Sequence, residues 1–250
     1  MNQAPIRYLL RLGDNALILG QRLIEIVAHG PELEEELANA NLALDYLGQA
    51  RMFYGYAGEL ENEGRGEDDF AFLRDSHEFE NLLLLEQPNG HFGDTIVRQF
   101  LFDAFYLLQL EALCRCTDPR LAEIAARAVK EIRYHLRHTS QWLKRLGDGT
   151  AESHLRVQES LHGLWRYSGE MFAGDATDEL VRDGLQGPDL QSIEKEWRRT
   201  VTAVLAEATL SLPEDAWMQG GGREGRHTEH FGFLIAEMQH LQRAHPGAGW

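Results

Sequence analysis

The sequence predicts an all-α fold, and three observations predict it. Nearly every periodic stretch follows the helical i, i+3, i+4, i+7 spacing. No run alternates apolar and polar residues as a half-buried strand does. Proline and glycine fall in the gaps between the periodic stretches, where helices stop and start. With 250 residues, 43% of them hydrophobic, the chain can bury a substantial core. No internal repeat and no linker separates two cores, so residues 1–250 are expected to form a single domain.

The first helix is expected from about Ile6 to Ala28, with Leu9, Leu12, Ala16, Leu19, Leu23 and Ile26 on one face. It stops at His29-Gly30-Pro31, and Pro31 suits the first turn of a second helix running to about Leu60. Around Leu42–Leu47 that helix is apolar on all sides apart from Asp45, which places it in the middle of a bundle. A polar linker, Glu61 to Asp69, leads to a short helix through Leu82–Leu85, broken at Gln87-Pro88-Asn89-Gly90. A long helix then spans about Phe92 to Cys116. Asp118-Pro119 opens another, with Leu121, Ile124, Ala128, Ile132, Leu136, Leu143 and Leu146 inward and Gly147 at its end. Three more follow at about Ala151–Phe172, Leu190–Leu210 and Thr228–Arg243. Between the last two, the glycine-rich stretch from Gln219 to His227 reads as a mobile loop.

Charge narrows the function classes. The formal charge of −16 argues against nucleic acid or an anionic membrane as the main partner, and any anionic ligand needs a local basic patch. No apolar run reaches the roughly 20 residues of a membrane helix, and the start carries no basic segment followed by an apolar one. A cytoplasmic protein is expected. Cys114 and Cys116 diverge on a helix, which makes a mutual disulfide geometrically poor, and both read as reduced thiols.

One near miss draws attention. Glu131-Ile132-Arg133-Tyr134-His135 lies where a di-iron bundle carries glutamate-x-x-histidine, and tyrosine takes the histidine's place. True Glu-x-x-His spacings occur at Glu159/His162, Glu224/His227 and Glu237/His240. The first and last of these fall opposite their helices' apolar stripes, and the middle one sits in the glycine-rich loop, so none is expected to bind metal. Glu131 and His135, at i and i+4, share a face. With Asp45 they form either a buried polar remnant of a metal site, paired with cations such as Lys130 or Arg133, or the ligands of a rearranged metal centre. A buried carboxylate needs such a partner. Arg223, Arg226 and His227 give the glycine-rich loop a basic character suited to phosphate or acidic side chains. Glu78, Phe79, Glu80 and Asn81, ahead of four leucines, form a polar rim beside apolar core. The sequence contains neither a P-loop nor a nucleophile elbow.

The stretches Leu10–Asn15, Leu44–Arg51, Glu86–Gly90, Lys130–Arg137 and His227–Gln239 together resemble the C-type subunits of bacterial phenylacetyl-coenzyme A oxygenases, the ring 1,2-epoxidases of aerobic phenylacetate degradation, from end to end. The resemblance implies a ferritin-like helical bundle with additional helices and no metal or catalytic residues in this chain. It implies a structural role beside a homologous A-type di-iron subunit, as a heterodimer or a dimer of heterodimers, with a small B-type subunit. A reductase component carrying FAD and an iron–sulfur cluster, fed by NADPH, is implied as well, with phenylacetyl-coenzyme A as substrate. It further suggests substrate contact at Glu78, Phe79, Glu80 and Asn81 and at Glu179, Leu180 and Val181, through backbone amides, Asn81 and apolar surface, because the acidic side chains are poor phosphate partners. The rival reading is an independent di-metal oxygenase using Asp45, Glu131 and His135.

Overall fold

The computed structural model describes residues 4–248. Among them the chain forms eight α-helices and no strand: α1 (Ala4–Glu25), α2 (Leu33–Glu61), α3 (Phe92–Leu113), α4 (Pro119–Gly147), α5 (Ala151–Trp165), α6 (Ala176–Leu185), α7 (Leu190–Glu207) and α8 (Glu229–Ala244). The chain divides into two compact units, one holding the sequence up to Pro88 and from Gly220 onward, the other holding Asn89–Gln219.

In the first unit, α1 packs along α2. All six residues expected on the inner face of α1 are buried. The helix ends three residues before Ala28, which adopts a left-handed conformation. α2 begins after Pro31 rather than on it, with extended Glu32 as its cap, and closes on left-handed Asn62. Its middle is less enclosed than its composition suggests: Leu42, Ala43 and Tyr46 are buried, but Leu44 is 62% exposed.

The polar stretch after α2 carries a five-residue π-helical turn at Asp69–Leu73 and a 3-10 turn at Ser76–Glu78. The helix expected through Leu82–Leu85 is absent. Residues 79–90 run as extended chain and turns, yet Phe79 and all four leucines are buried. A short apolar run cannot by itself distinguish a buried helix from a buried extended segment.

In the second unit, α3 is buried over most of its length, and α5, α7 and α4 pack around it. α4 starts as expected: Asp118 accepts hydrogen bonds from the Arg120 and Leu121 amides, both at 3.0 Å, and Pro119 occupies the first turn. Trp197 of α7 anchors the interior, donating to the Leu101 carbonyl at 2.9 Å and stacking on Trp165 at 5.4 Å. The helix expected over Ala151–Phe172 is split into α5 and a 3-10 turn at Gly169–Phe172. α6 was not anticipated. Asp175 caps it, accepting from the Thr177 amide at 2.8 Å and the Asp178 amide at 3.2 Å.

Two glycines predict opposite outcomes for the same substitution. A methyl group on Gly13 overlaps the Tyr54 ring, whereas one on Gly48 of α2 meets nothing within 4 Å. Gly13→Ala should destabilise by about 1–3 kcal/mol through overpacking. Gly48→Ala should stabilise by about 0.5–1 kcal/mol through helix propensity. Urea midpoints at unchanged m-value measure both.

Candidate functional site

The residues of the near miss lie on two helices. Asp45 sits half-buried on α2 of the first unit, while Glu131 and His135 are on α4 of the second. His135 is fully buried, and its carbonyl accepts from the Thr139 hydroxyl at 3.0 Å. Tyr134 is 48% exposed, so a histidine at that position would face outward too. Glu131 lies 3.7 Å from Arg127, and Arg133 pairs with Glu111 at 2.9 Å. Among the described residues, no group of three His, Cys, Asp or Glu side chains is placed to hold a metal ion. Glu159, His162, Glu237 and His240 are exposed, as their helical faces predict.

The densest polar construction lies in the first unit, around Asp14 of α1. Its carboxylate is fully buried and accepts from the Tyr54 hydroxyl at 2.6 Å and the Glu80 amide at 2.8 Å, and it pairs with Arg74. Arg74 in turn donates to the carbonyls of Phe70 at 2.6 Å and Glu78 at 3.0 Å and lies over the Phe79 ring. Burial works against the Arg74 charge, but Asp14, Tyr54 and Glu78 together outweigh it and hold the guanidinium above its ordinary value. Burial, then the Asp14 charge, pushes the Tyr54 hydroxyl well above the usual phenol range.

The extended segment after Arg74 is tied down residue by residue. Asn15 accepts from the Leu82 amide at 2.8 Å, and Arg22 donates to the Glu86 carbonyl at 2.6 Å. The glycine-rich loop closes over it and is not the loose segment its composition suggests. A methyl group on Gly222 or Gly225 would overlap the carbonyl of Asn81 or His77, so these glycines serve close approach. His227 is fixed as well: Nε2 donates to the Phe79 carbonyl at 3.0 Å, and Nδ1 lies 3.5 Å from the buried Glu86 carboxylate. Arg226 pairs with Glu224, and the Arg223 carbonyl accepts from Arg7 and Arg11, both at 3.4 Å.

The expected substrate-contact residues fall at two places. Phe79 and Asn81 are fully buried, and Asn81 donates to the Leu82 carbonyl at 3.2 Å. Glu80 is held by Arg7 at 2.7 Å and Arg11 at 2.6 Å. Glu78 is exposed and belongs to the capping box of its 3-10 turn. In the other unit, Val181 is buried in α6, whereas Leu180 and Glu179 are exposed. Glu179 borders a cavity of about 170 Å³ together with Asp178, Arg182 and Asp189.

A model of the phenylacetic acid catabolic protein family matches residues 1–250. The chain belongs to that family. It is 48% identical over 250 residues, all of both chains, to the C-type subunit of the 1,2-phenylacetyl-CoA epoxidase of Escherichia coli (strain K12). Its fold is the one expected of the family, an all-α ferritin-like bundle with additional helices. The stretches that carry the family resemblance also supply buried groups: Asp14 and Asn15 from Leu10–Asn15, Glu86 from Glu86–Gly90, and His227 at the entry to α8.

Sequence reasoning missed the polar residues inside α3. Arg98, Gln99 and Asp103 are all fully buried, and Arg98 donates to the Asn89 side chain at 2.6 Å. The available signal was polar residues, these three among them, set in the most apolar of the helices. Burial raises both cysteine thiols, which makes them poor nucleophiles.

Removing one member of the buried pair should cost far more than removing both. Arg74→Met alone should lower stability by about 3–5 kcal/mol, and the double variant Asp14→Leu/Arg74→Met should recover part of that; chemical denaturation gives the comparison. The raised Tyr54 hydroxyl also predicts an alkaline loss. Above about pH 10 the unfolded chain releases a proton that the folded chain keeps, so this contribution is whole below that pH and lost above it. Tyr54→Phe should therefore show a shallower alkaline fall in its urea midpoint than the native chain.

Proposed function

We propose that this chain is the structural subunit of a 1,2-phenylacetyl-CoA epoxidase working in the cytoplasm, and that it supports a homologous catalytic subunit without binding iron itself. The observation that carries this reading is the 48% identity, along the whole of both chains, to a C-type epoxidase subunit. The donor set supports it: Glu131 has the Arg127 guanidinium beside it at 3.7 Å, and Tyr134 stands where a ligand histidine is expected. No helix is long and apolar enough to cross a membrane among the described residues.

In this reading the di-iron centre belongs to an A-type partner, paired with this chain as a heterodimer that doubles into a dimer of heterodimers. The assembly is completed by a small B-type subunit. Electrons from NADPH arrive through the FAD and iron–sulfur cluster of a separate reductase. The reaction is epoxidation of the aromatic ring of phenylacetyl-coenzyme A. This chain's contribution is shape. The buried Asp14–Arg74 pair, the His227 hydrogen bond to the Phe79 carbonyl and the close glycine contacts hold α1, the extended segment 79–88 and the glycine-rich loop together as one face. A subunit with rigid faces keeps its partner oriented without conformational cost.

Contact with the coenzyme A substrate is proposed at Glu78–Asn81 and Glu179–Val181. Since Phe79, Asn81 and Val181 are buried, the accessible contributions are the backbone near Glu78, the Glu80–Arg7 pair and the apolar face of Leu180.

Anaerobic ferrous loading tests the central claim. The chain alone should retain almost no iron after washing, while its complex with the catalytic subunit should retain about two irons per heterodimer, the number a di-iron bundle holds. About two irons on the isolated chain would instead establish the independent di-metal oxygenase.

A further inference from the structure

α4 departs from the charge of the rest of the molecule. Seven of its 29 residues are Lys or Arg and two are Glu, within a chain of formal charge −16. Its inner side is the apolar stripe Leu121, Ile124, Ala128, Ile132 and Leu143, all buried. Its outer side carries Arg127, Lys130, Arg133, Tyr134, Arg137 and Arg145, all exposed. By helical spacing, these occupy one face along about 27 Å.

Some of the outer cations are already matched within the unit: Arg133 by Glu111 at 2.9 Å and Arg127 loosely by Glu131 at 3.7 Å. On the flank, Lys144 pairs with Glu207 at 2.5 Å. Lys130, Arg137 and Arg145 pair with no carboxylate among the described residues. Arg137 and Arg145 instead lie 5.4 Å from the rings of Tyr134 and Trp142. Arginine laid against aromatic rings, on a surface not otherwise neutralised, has the composition of a protein interface.

We infer that the outer face of α4 is a docking surface for an acidic face of another protein in the assembly, an inference that rests on the subunit reading above. Charge complementarity selects this occupant. A phosphate group calls for converging donors, whereas Lys130, Arg137 and Arg145 are spread along one convex helix. Nucleic acid or an anionic membrane would meet an acidic protein everywhere beyond this strip. A rod of spaced cations interleaved with aromatic side chains matches a similarly extended row of Asp and Glu.

The test uses the full-length chain and its variant Lys130→Glu/Arg137→Glu/Arg145→Glu, with the catalytic subunit, the B-type subunit and the reductase titrated singly, and coenzyme A as a separate probe. All three positions are exposed, and matching thermal unfolding would confirm that the variant is folded. One protein component should bind the variant at least about tenfold more weakly, and its affinity for the native chain should fall with added salt while that for the variant stays flat. If the native chain binds its partners and the variant binds each of them equally well, the inference is overturned and the function stands. Loss of coenzyme A binding alone would also overturn it, by showing a ligand site. A native chain that binds none of the three components would sink the proposed function, and the docking surface with it.

Discussion

The buried pair of Asp14 and Arg74 is the constraint on which the first unit depends. Residues 62–88 form only short turns and extended chain, so most of their backbone polar groups lack a partner within a regular helix or sheet. The π-helical turn at Asp69–Leu73 intensifies the problem. Its carbonyls are satisfied by side chains: Arg74 at Phe70, Gln239 at Ala71 and Arg243 at Phe72 and Leu73. Arg74 serves at once as ion-pair partner, carbonyl donor and cover for Phe79. Such a group has little freedom to move, and the segment it organises inherits that rigidity. α1 completes the work with Asn15 and Arg22, each bonded to a different point of the same extended chain.

This arrangement explains how four consecutive leucines can be buried outside a helix. A helix satisfies its own backbone and leaves its side chains free to pack. At Leu82–Leu85 the neighbouring elements take over part of that task, through Asn15 at the Leu82 amide and Gln87 at the Leu83 carbonyl. The glycine-rich loop then covers the segment. Its glycines let backbone meet backbone at Asn81 and His77, and His227 and Thr228 close the far end on Glu86. Composition suggests freedom at those glycines, whereas contact removes it.

The helices were legible where one face alone decides burial. α1, α4 and the inner side of α5 follow their apolar stripes, and the cap at Asp118 and the terminal Gly147 mark the ends of α4. Legibility failed where tertiary partners replace local signals. The run at Leu82–Leu85 carries no period that separates helix from extended chain, and α6 is only ten residues long with one buried aliphatic side chain, Val181. On α4, His135, which its spacing groups with Glu131 as a buried polar residue, is fully buried, whereas Tyr134 beside it is half-exposed. Arg74 gave no signal at all, because its partner lies sixty residues earlier in the chain.

α2 and α4 show two different ways in which a helix can present surface. α4 divides cleanly, apolar inside and basic outside. α2 does not divide: its apolar residues are spread around the helix, so that packing on α1 leaves Leu33, Leu37 and Leu44 each more than half exposed. By helical spacing Leu33, Leu37 and Leu44 fall on one side of α2, and apolar side chains exposed together are the kind of area that association removes from water. The acidic residues at its start, Glu34, Glu35 and Glu36, favour the positive end of the helix dipole. They keep that end soluble without masking the leucines. Exposed leucines on one helix and exposed cations on another give one chain two chemically distinct surfaces.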